Sequence, residues 1–300
     1  MSGFTRRLMR LQAVATKGGG TTDLTHGDQV TQSNTGPRTA LTAVSGDVVL
    51  STSNVGTLCT GSGTQADPYV YANKSLIGGG ISFSTNVNNF YFVIRDCLAP
   101  GGMFIATSRT GPIVRAEWCG FGSRTDYVGG TSGVVGTVFD LYRCWVDGGS
   151  DGLRMQGAGS VATECHIRVR QGSTTDHNDA VQNYGGYGDL TLLRCYLDGY
   201  LYTIDNTGSG IYQGGDYGEF NSAVQTITFK DNYLNGAGIH WRMYGGQKCV
   251  NLQYVVTGNK HGRIGATHVY TTSKADDSTD PSQITWSNNT FADNGAQISL

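Results

Sequence analysis

One short pattern recurs eight times between Phe92 and Phe291. The segments FVIRDCLAP, RAEWCGF, DLYRCWVDG, VATECHIRV, LLRCYLDG, TFKDNYLNG, VVTGNKHG and TWSNNTF share an alternating apolar run, as a rule a polar or charged residue, and then Cys or Asn. The Cys/Asn position is filled by Cys97, Cys119, Cys144, Cys165, Cys195, Asn232, Asn259 and Asn289, and the gaps are 22, 25, 21, 30, 37, 27 and 30 residues by subtraction. Repeats of roughly 20 to 50 residues imply a solenoid or a propeller. The shortest gaps are too small for the four strands of a propeller blade. They suffice for a coil of three short strands and three bends, whose bends take insertions without disturbing the stack.

The pattern therefore predicts an all-β fold: a right-handed, single-stranded parallel β-helix with an extended N-terminal arm. Equivalent residues of neighbouring coils would lie about 4.8 Å apart. A small apolar Cys is at ease in such an inward stack, and stacked Asn side chains can pass an amide hydrogen bond from rung to rung. The alternative is that Cys and Asn only mark a bend. Composition agrees with β structure. Charged residues are 15 % of the chain, against about 25 % in ordinary domains, and there are 45 glycines. Val, Ile, Thr, Tyr and Phe recur in short runs that suit a pleated surface.

A second ladder aligns DGLRMQG (151–157), DAVQNYG (179–185), YTIDNTG (202–208), IHWRMYG (239–245) and THVYTTS (267–273). Strand alternation points Leu153/Met155, Val181/Asn183, Ile204/Asn206, Trp241/Met243 and Val269/Thr271 inward. It points Arg154/Gln156, Gln182/Tyr184, Asp205/Thr207, His240/Arg242/Tyr244 and His268/Tyr270 outward. Asp147 and Asp198, each in a (W/Y)-(V/L)-D-G stretch, read as turn residues.

Residues 1–45 are polar and glycine-rich and read as an attachment arm and linker. Residues 46–300 form the β-helix, with 46–79 as its N-terminal cap and first strands. The last residues, ADNGAQISL, either blunt the far end or leave it to a partner. Phe4, Leu8, Leu11 and Ala15 fall at helical spacing, which suits a short docking helix or a frayed terminus. The basic N-terminus lacks the continuous apolar core of a signal peptide. No stretch approaches the roughly 20 apolar residues of a membrane span, so no membrane insertion is expected. The formal charge of −2 argues against nucleic acid as a partner. Seven cysteines without CxxC or zinc spacing argue against a disulfide framework or a metal site, and for reduced thiols made in a cytoplasm.

The stretch GSGTQADPYVYANKSL followed by ISFSTNVNNFYFVIRDC resembles the opening of pectate-lyase-like right-handed β-helix proteins. The block TDHNDAVQNYGG, with LLRCYLDG after it, resembles β-helical minor tail proteins and tail spikes of phages that infect actinobacteria. The usual form there has glycine where this chain has Ala180. The resemblance spans about residues 60–300. It implies a virion tail protein made in the host cytoplasm. Such a protein would be a homotrimer, attached to other tail proteins through its arm, that binds host-surface polysaccharide, with degradation left open. The other readings are a freestanding polysaccharide lyase or epimerase, and a purely structural virion decoration.

If the chain is an enzyme, polysaccharide lyase or glycoside hydrolase chemistry is expected, with no cofactor. Asp176, His177 and Asp179 are the catalytic candidates. A carboxylate beside an imidazole prepares a general acid or base, and two carboxylates can flank a glycosidic bond. The same residues also serve as turn formers. Arg154, Gln182, Tyr184, Asp205, His240, Arg242, Tyr244 and Tyr270 are the substrate-binding candidates. Planar guanidinium and carboxylate groups and aromatic rings suit sugars. The same face equally suits a protomer interface or plain solvated surface. The acidic run KADDSTDP (274–281) reads as a solvated loop or an oxygen-ligand calcium site.

Overall fold

A computed structural model describes residues 30, 34–105, 112–122, 133–136, 138–148, 151–155, 157, 159–169, 179–183, 189–199, 210–213, 225–236, 239–243, 252–262, 270–272 and 281–299. The strands fall into three long sheets, and the chain visits them in the order C, A, B on each coil. Sheet A has ten strands, from Thr42–Ser45 to Thr290–Phe291. Sheet B has nine, from Val48–Leu50 to Tyr270–Thr272. Sheet C has nine, from Tyr69–Ala72 to Ile284–Ser287. Within each sheet a strand pairs in parallel with its equivalents one coil before and after, as in Trp145↔His166, Leu153↔Val181 and Leu141↔Ala162. This is the parallel β-helix that the repeat predicted.

Alternation on each strand turns one set of side chains into the shared interior. Sheet A contributes Phe121, Val146, Ile167, Leu197 and Leu234. Sheet B contributes Leu153, Met155, Val181 and Trp241. Sheet C contributes Ile94, Leu141, Leu192, Phe229 and Val256. All are buried, and each such side chain contributes about 1.5–3 kcal/mol to folding.

The bend from sheet C to sheet A never varies from Arg95 onward: two residues separate the strands. The first lies in the left-handed region, at Asp96, Trp118, Arg143, Glu164, Arg194, Asp231 and Asn288 (φ 48° to 56°) and at Gly258 (φ 70°). The second is the Cys or Asn, which points inward and is buried in every case. Left-handed backbone costs an ordinary residue about 1–2 kcal/mol, so the column must be held by its neighbours. In the middle coils a buried ion ladder does this. The Arg143 and Arg194 guanidinium groups both donate to the Glu164 carboxylate, Arg194 at 2.8 and 3.0 Å.

One feature of the ends differs from the sequence reading, and a second selects between the two alternatives it left. Residues 34–45, read as linker, belong to the solenoid: Thr42–Ser45 is the first strand of sheet A, paired with Lys74–Ile77, and residues 34–39 lie along the tight bends. At the far end the tail blunts the helix itself. Thr290 pairs antiparallel with Gln297, Ile298 N–H donates to Asn289 O at 2.8 Å, and the Trp286 indole donates to Ile298 O at 2.6 Å. Such a cover keeps the strand edge from recruiting other chains.

Candidate functional site on sheet B

Insertions are confined to the two rims of sheet B. Subtracting strand bounds leaves 2 to 11 residues between a sheet-A strand and the next sheet-B strand. Between sheet B and sheet C it is 2 to 18, against the two that are fixed at the C-to-A bend from Arg95 onward. This accounts for the unequal gaps of the repeat. In solenoids, insertions gathered on one side mark the binding side.

Between those rims runs one row in ladder register that alternates along each strand with the row of the buried Leu153 and Val181. Ladder register sets Val135, Arg154, Gln182, Gln213, Arg242 and Thr271 in line, one per coil. Further toward the N-terminus the row continues through Phe104, Ser82 and Val49. Phe104 and Val49 are about half exposed (47 % and 51 %), so the row begins apolar and becomes polar midway. Arg154 is half-buried and Gln182 is buried. Of the expected inward set, Leu153, Met155, Val181, Asn183 and Trp241 are buried.

Three sequence assignments on this face are revised. The coil between Asp179–Asn183 and Ile239–Met243 is built from Gly210–Gln213, not from 202–208. Gln213 therefore takes the place given to Asp205, which lies outside the described residues. The alternation of 202–208 fits a strand pattern in the sequence, and it is Gly210–Gln213 that pairs with both neighbouring strands of the ladder. Tyr270 is in register with Trp241, in the row of Leu153 and Val181, while Thr271 stands in the row of Arg242. The alignment of 267–273 was off by one residue, which exchanges the faces. Asp179 opens its strand opposite Asp151 and Gly210 and is fully buried. A carboxyl sealed at the corner between sheets A and B serves structure better than proton transfer with a ligand. Ala180 is packed in the core over Gly152. Asp176, His177, Tyr184 and Tyr244 lie outside the described residues, as does the acidic run as far as Asp280. His240 and Arg242 are within the strand Ile239–Met243.

The outer face of sheet A was missed. Asp147 and Asp198 are strand residues, not turn residues. They share an outward row with Arg168 and Asn235, one per coil. Two residues earlier on each strand, Trp145, His166, Tyr196, Tyr233 and Lys260 form a parallel row. The rings stack on one another, His166 on Tyr196 at 5.0 Å and Tyr196 on Tyr233 at 5.2 Å with planes 6° apart. Their faces are thereby covered, and only their edges remain to meet solvent, so this is not a sugar-stacking platform. Arg168 donates to Asp147 Oδ2 at 2.6 Å. Burial pushes the Asp198 carboxyl up to about 6, against the pull of Arg168 and with help from Asp147. The signal was present in the repeat itself: C-W-V-D, C-H-I-R, C-Y-L-D and N-Y-L-N place both residues on one face.

Among the described residues, no group of three or more His, Cys, Asp or Glu could hold a metal ion, and no helix is long and apolar enough to cross a membrane. Against known proteins, no family model matches this chain, and neither does any curated protein or solved structure.

Proposed function

We propose that the protein binds an extended polysaccharide lengthwise along the outer face of sheet B, as a component of a virion tail. The observation that carries this reading is the confinement of every long insertion to the two rims of that sheet, flanking a row that includes Arg154, Gln182, Gln213 and Arg242. Guanidinium and carboxamide groups repeated about every 4.8 Å match a polymer whose hydroxyls recur at sugar-length intervals, and the guanidinium groups favour uronate or other acidic substituents. The tail setting, a homotrimeric assembly and attachment through the N-terminal arm rest on the resemblance of TDHNDAVQNYGG and its flanking coils to phage tail proteins. Binding is the core of the proposal. The buried position of Asp179 leaves cleavage without a described acid on this face.

The test is a panel of bacterial surface glycans presented to the wild-type protein and to Arg154→Ala, with Lys230→Ala on the outer face of sheet C as the control. Saturable binding that falls about tenfold or more in Arg154→Ala and is unchanged in Lys230→Ala supports the reading; a lost charged hydrogen bond has that size. Binding to no glycan, or equal binding by all three proteins, overturns it. Release of new reducing or unsaturated ends would add lyase or hydrolase activity.

A further inference from the structure

Residues 34–39 belong to none of the three sheets, yet they span four coils along the C-to-A bend. Gly36 N–H donates to Arg143 O at 2.9 Å. Arg38 places its backbone N–H on Asp96 Oδ1 at 3.0 Å, and its guanidinium on Asp96 Oδ1 and Oδ2 at 3.1 and 2.8 Å. The same guanidinium lies over the Trp118 ring at 4.5 Å, with Arg143 against that ring at 5.3 Å. The Thr39 hydroxyl donates to Asn73 Oδ1 at 2.9 Å.

The fit is selective. Gly36 has φ +83°, and a Cβ there would come within 2.3 Å of Trp145 Cδ1. Pro37 fixes its own φ and so reduces the entropy lost on docking. Arg38 finds a carboxylate that is almost wholly buried, 4 % exposed, beneath it. Glycine against an indole, then proline, then arginine on a sunken aspartate is a recognition pattern. No strand ladder fixes it, and Ala40 and Leu41 alone join it to the first strand of sheet A.

We propose that the tight-bend edge of the solenoid, lined by Asn73, Asp96, Trp118, Arg143 and Trp145, is a peptide-binding groove for an extended Gly-Pro-Arg segment. Residues 34–39 are its occupant in cis, a displaceable strap, and the same segment of a second copy of this chain is its ligand in trans. The groove lies at the one bend that carries no insertions, away from the rims of sheet B, so strap exchange and glycan binding use separate surfaces.

The probe is a labelled synthetic peptide of residues 34–41 (NTGPRTAL), added to the full-length wild-type chain and to full-length Gly36→Val. Amide exchange over residues 34–40 reports whether the strap is seated. In the wild type these amides are expected to be protected and the peptide to bind poorly. In Gly36→Val protection should fall and the peptide should bind at one site, at least about tenfold more tightly than to the wild type. A peptide carrying Arg38→Ala should lose about tenfold or more, because it leaves Asp96 buried without its partner. If Gly36→Val does not fold, full-length Arg38→Ala loosens the same strap by removing only its pin. The proposal is overturned if exchange over 34–40 does not rise in the folded variant. It is equally overturned if exchange rises and the peptide still does not bind.

Discussion

Asn232 Oδ1 accepts the backbone N–H of Cys195 at 2.8 Å, one coil back. Here the interior column changes from thiols to amides. In the thiol part, three Sγ atoms donate to a sheet-C carbonyl of the coil before at 3.4 Å: Cys119 to Ile94 O, Cys144 to Ala116 O and Cys195 to Ala162 O. The Asn amides make the equivalent bond, Asn232 Nδ2 to Leu192 O at 3.1 Å and Asn259 Nδ2 to Phe229 O at 3.0 Å. They add a second function, since each Oδ1 also takes up the backbone N–H of the preceding rung.

Truncation should therefore cost more in the amide part of the column. Asn259 accepts both Asn232 N–H and Asn232 Nδ2 at 3.0 Å, so Asn259→Ala strands several buried groups and should destabilise by about 3 kcal/mol. Cys144→Ala removes a weak donor from a small site and should cost about 1 kcal/mol. Chemical denaturation of the two variants checks the order, and equal losses would contradict the division of roles.

Glu164 sits between Arg143 and Arg194 with its side chain 1 % exposed, and Arg143 is 3 % exposed. Glu164→Gln leaves a buried guanidinium short of its counter-charge and should cost about 3 kcal/mol or more. Replacing Arg143 and Glu164 together by Met should cost clearly less than the sum of the single changes, measured as a double-mutant cycle. Additivity would show that the ladder does not act as a unit.

Asp198 should make stability depend on pH. Its carboxyl is raised to about 6 in the folded chain by burial, while an unfolded Asp titrates near 4. Between those values the native state holds a proton that the unfolded state has released. The stabilisation is thus fully present below about pH 4 and lost as pH rises through 6, by at most about 3 kcal/mol. Asp198→Asn, the residue type that the next coil already uses at Asn235, should flatten this slope and raise the melting temperature at pH 7. An unchanged slope would place the titrating group elsewhere.

The C-terminal cover is also open to test. Deleting residues 292–300 removes the Ile298 carbonyl that receives the Trp286 indole and the pairing partner of Thr290. The variant should show red-shifted tryptophan emission and concentration-dependent association through the bared strand edge. A monomeric variant with unchanged emission would contradict a capping role.

The sequence disclosed the architecture because the C-to-A bend admits no insertion. Cys97 to Asn289 could be aligned by eye, and their stack follows. It disclosed sheet B less well because its strands lie between bends of unequal length. There, alternation alone could not distinguish 202–208 from Gly210–Gln213, nor settle the register of Tyr270. The strap was hidden because Gly36, Pro37 and Arg38 read as linker chemistry, and only the fold brings Trp145 and Asp96 beneath them. The charged row of sheet A was legible but passed over, since the glycine after Asp147 and Asp198 resembles a turn.

The most direct test of the central claim is hydrogen exchange of the intact protein with and without a saturating polysaccharide. Added protection is expected over 151–155, 179–183, 210–213 and 239–243, one patch per coil, with none over the sheet-C strands 190–193, 225–230 and 252–257. Protection concentrated on sheet C or sheet A, or spread evenly over all three sheets, would contradict binding along sheet B.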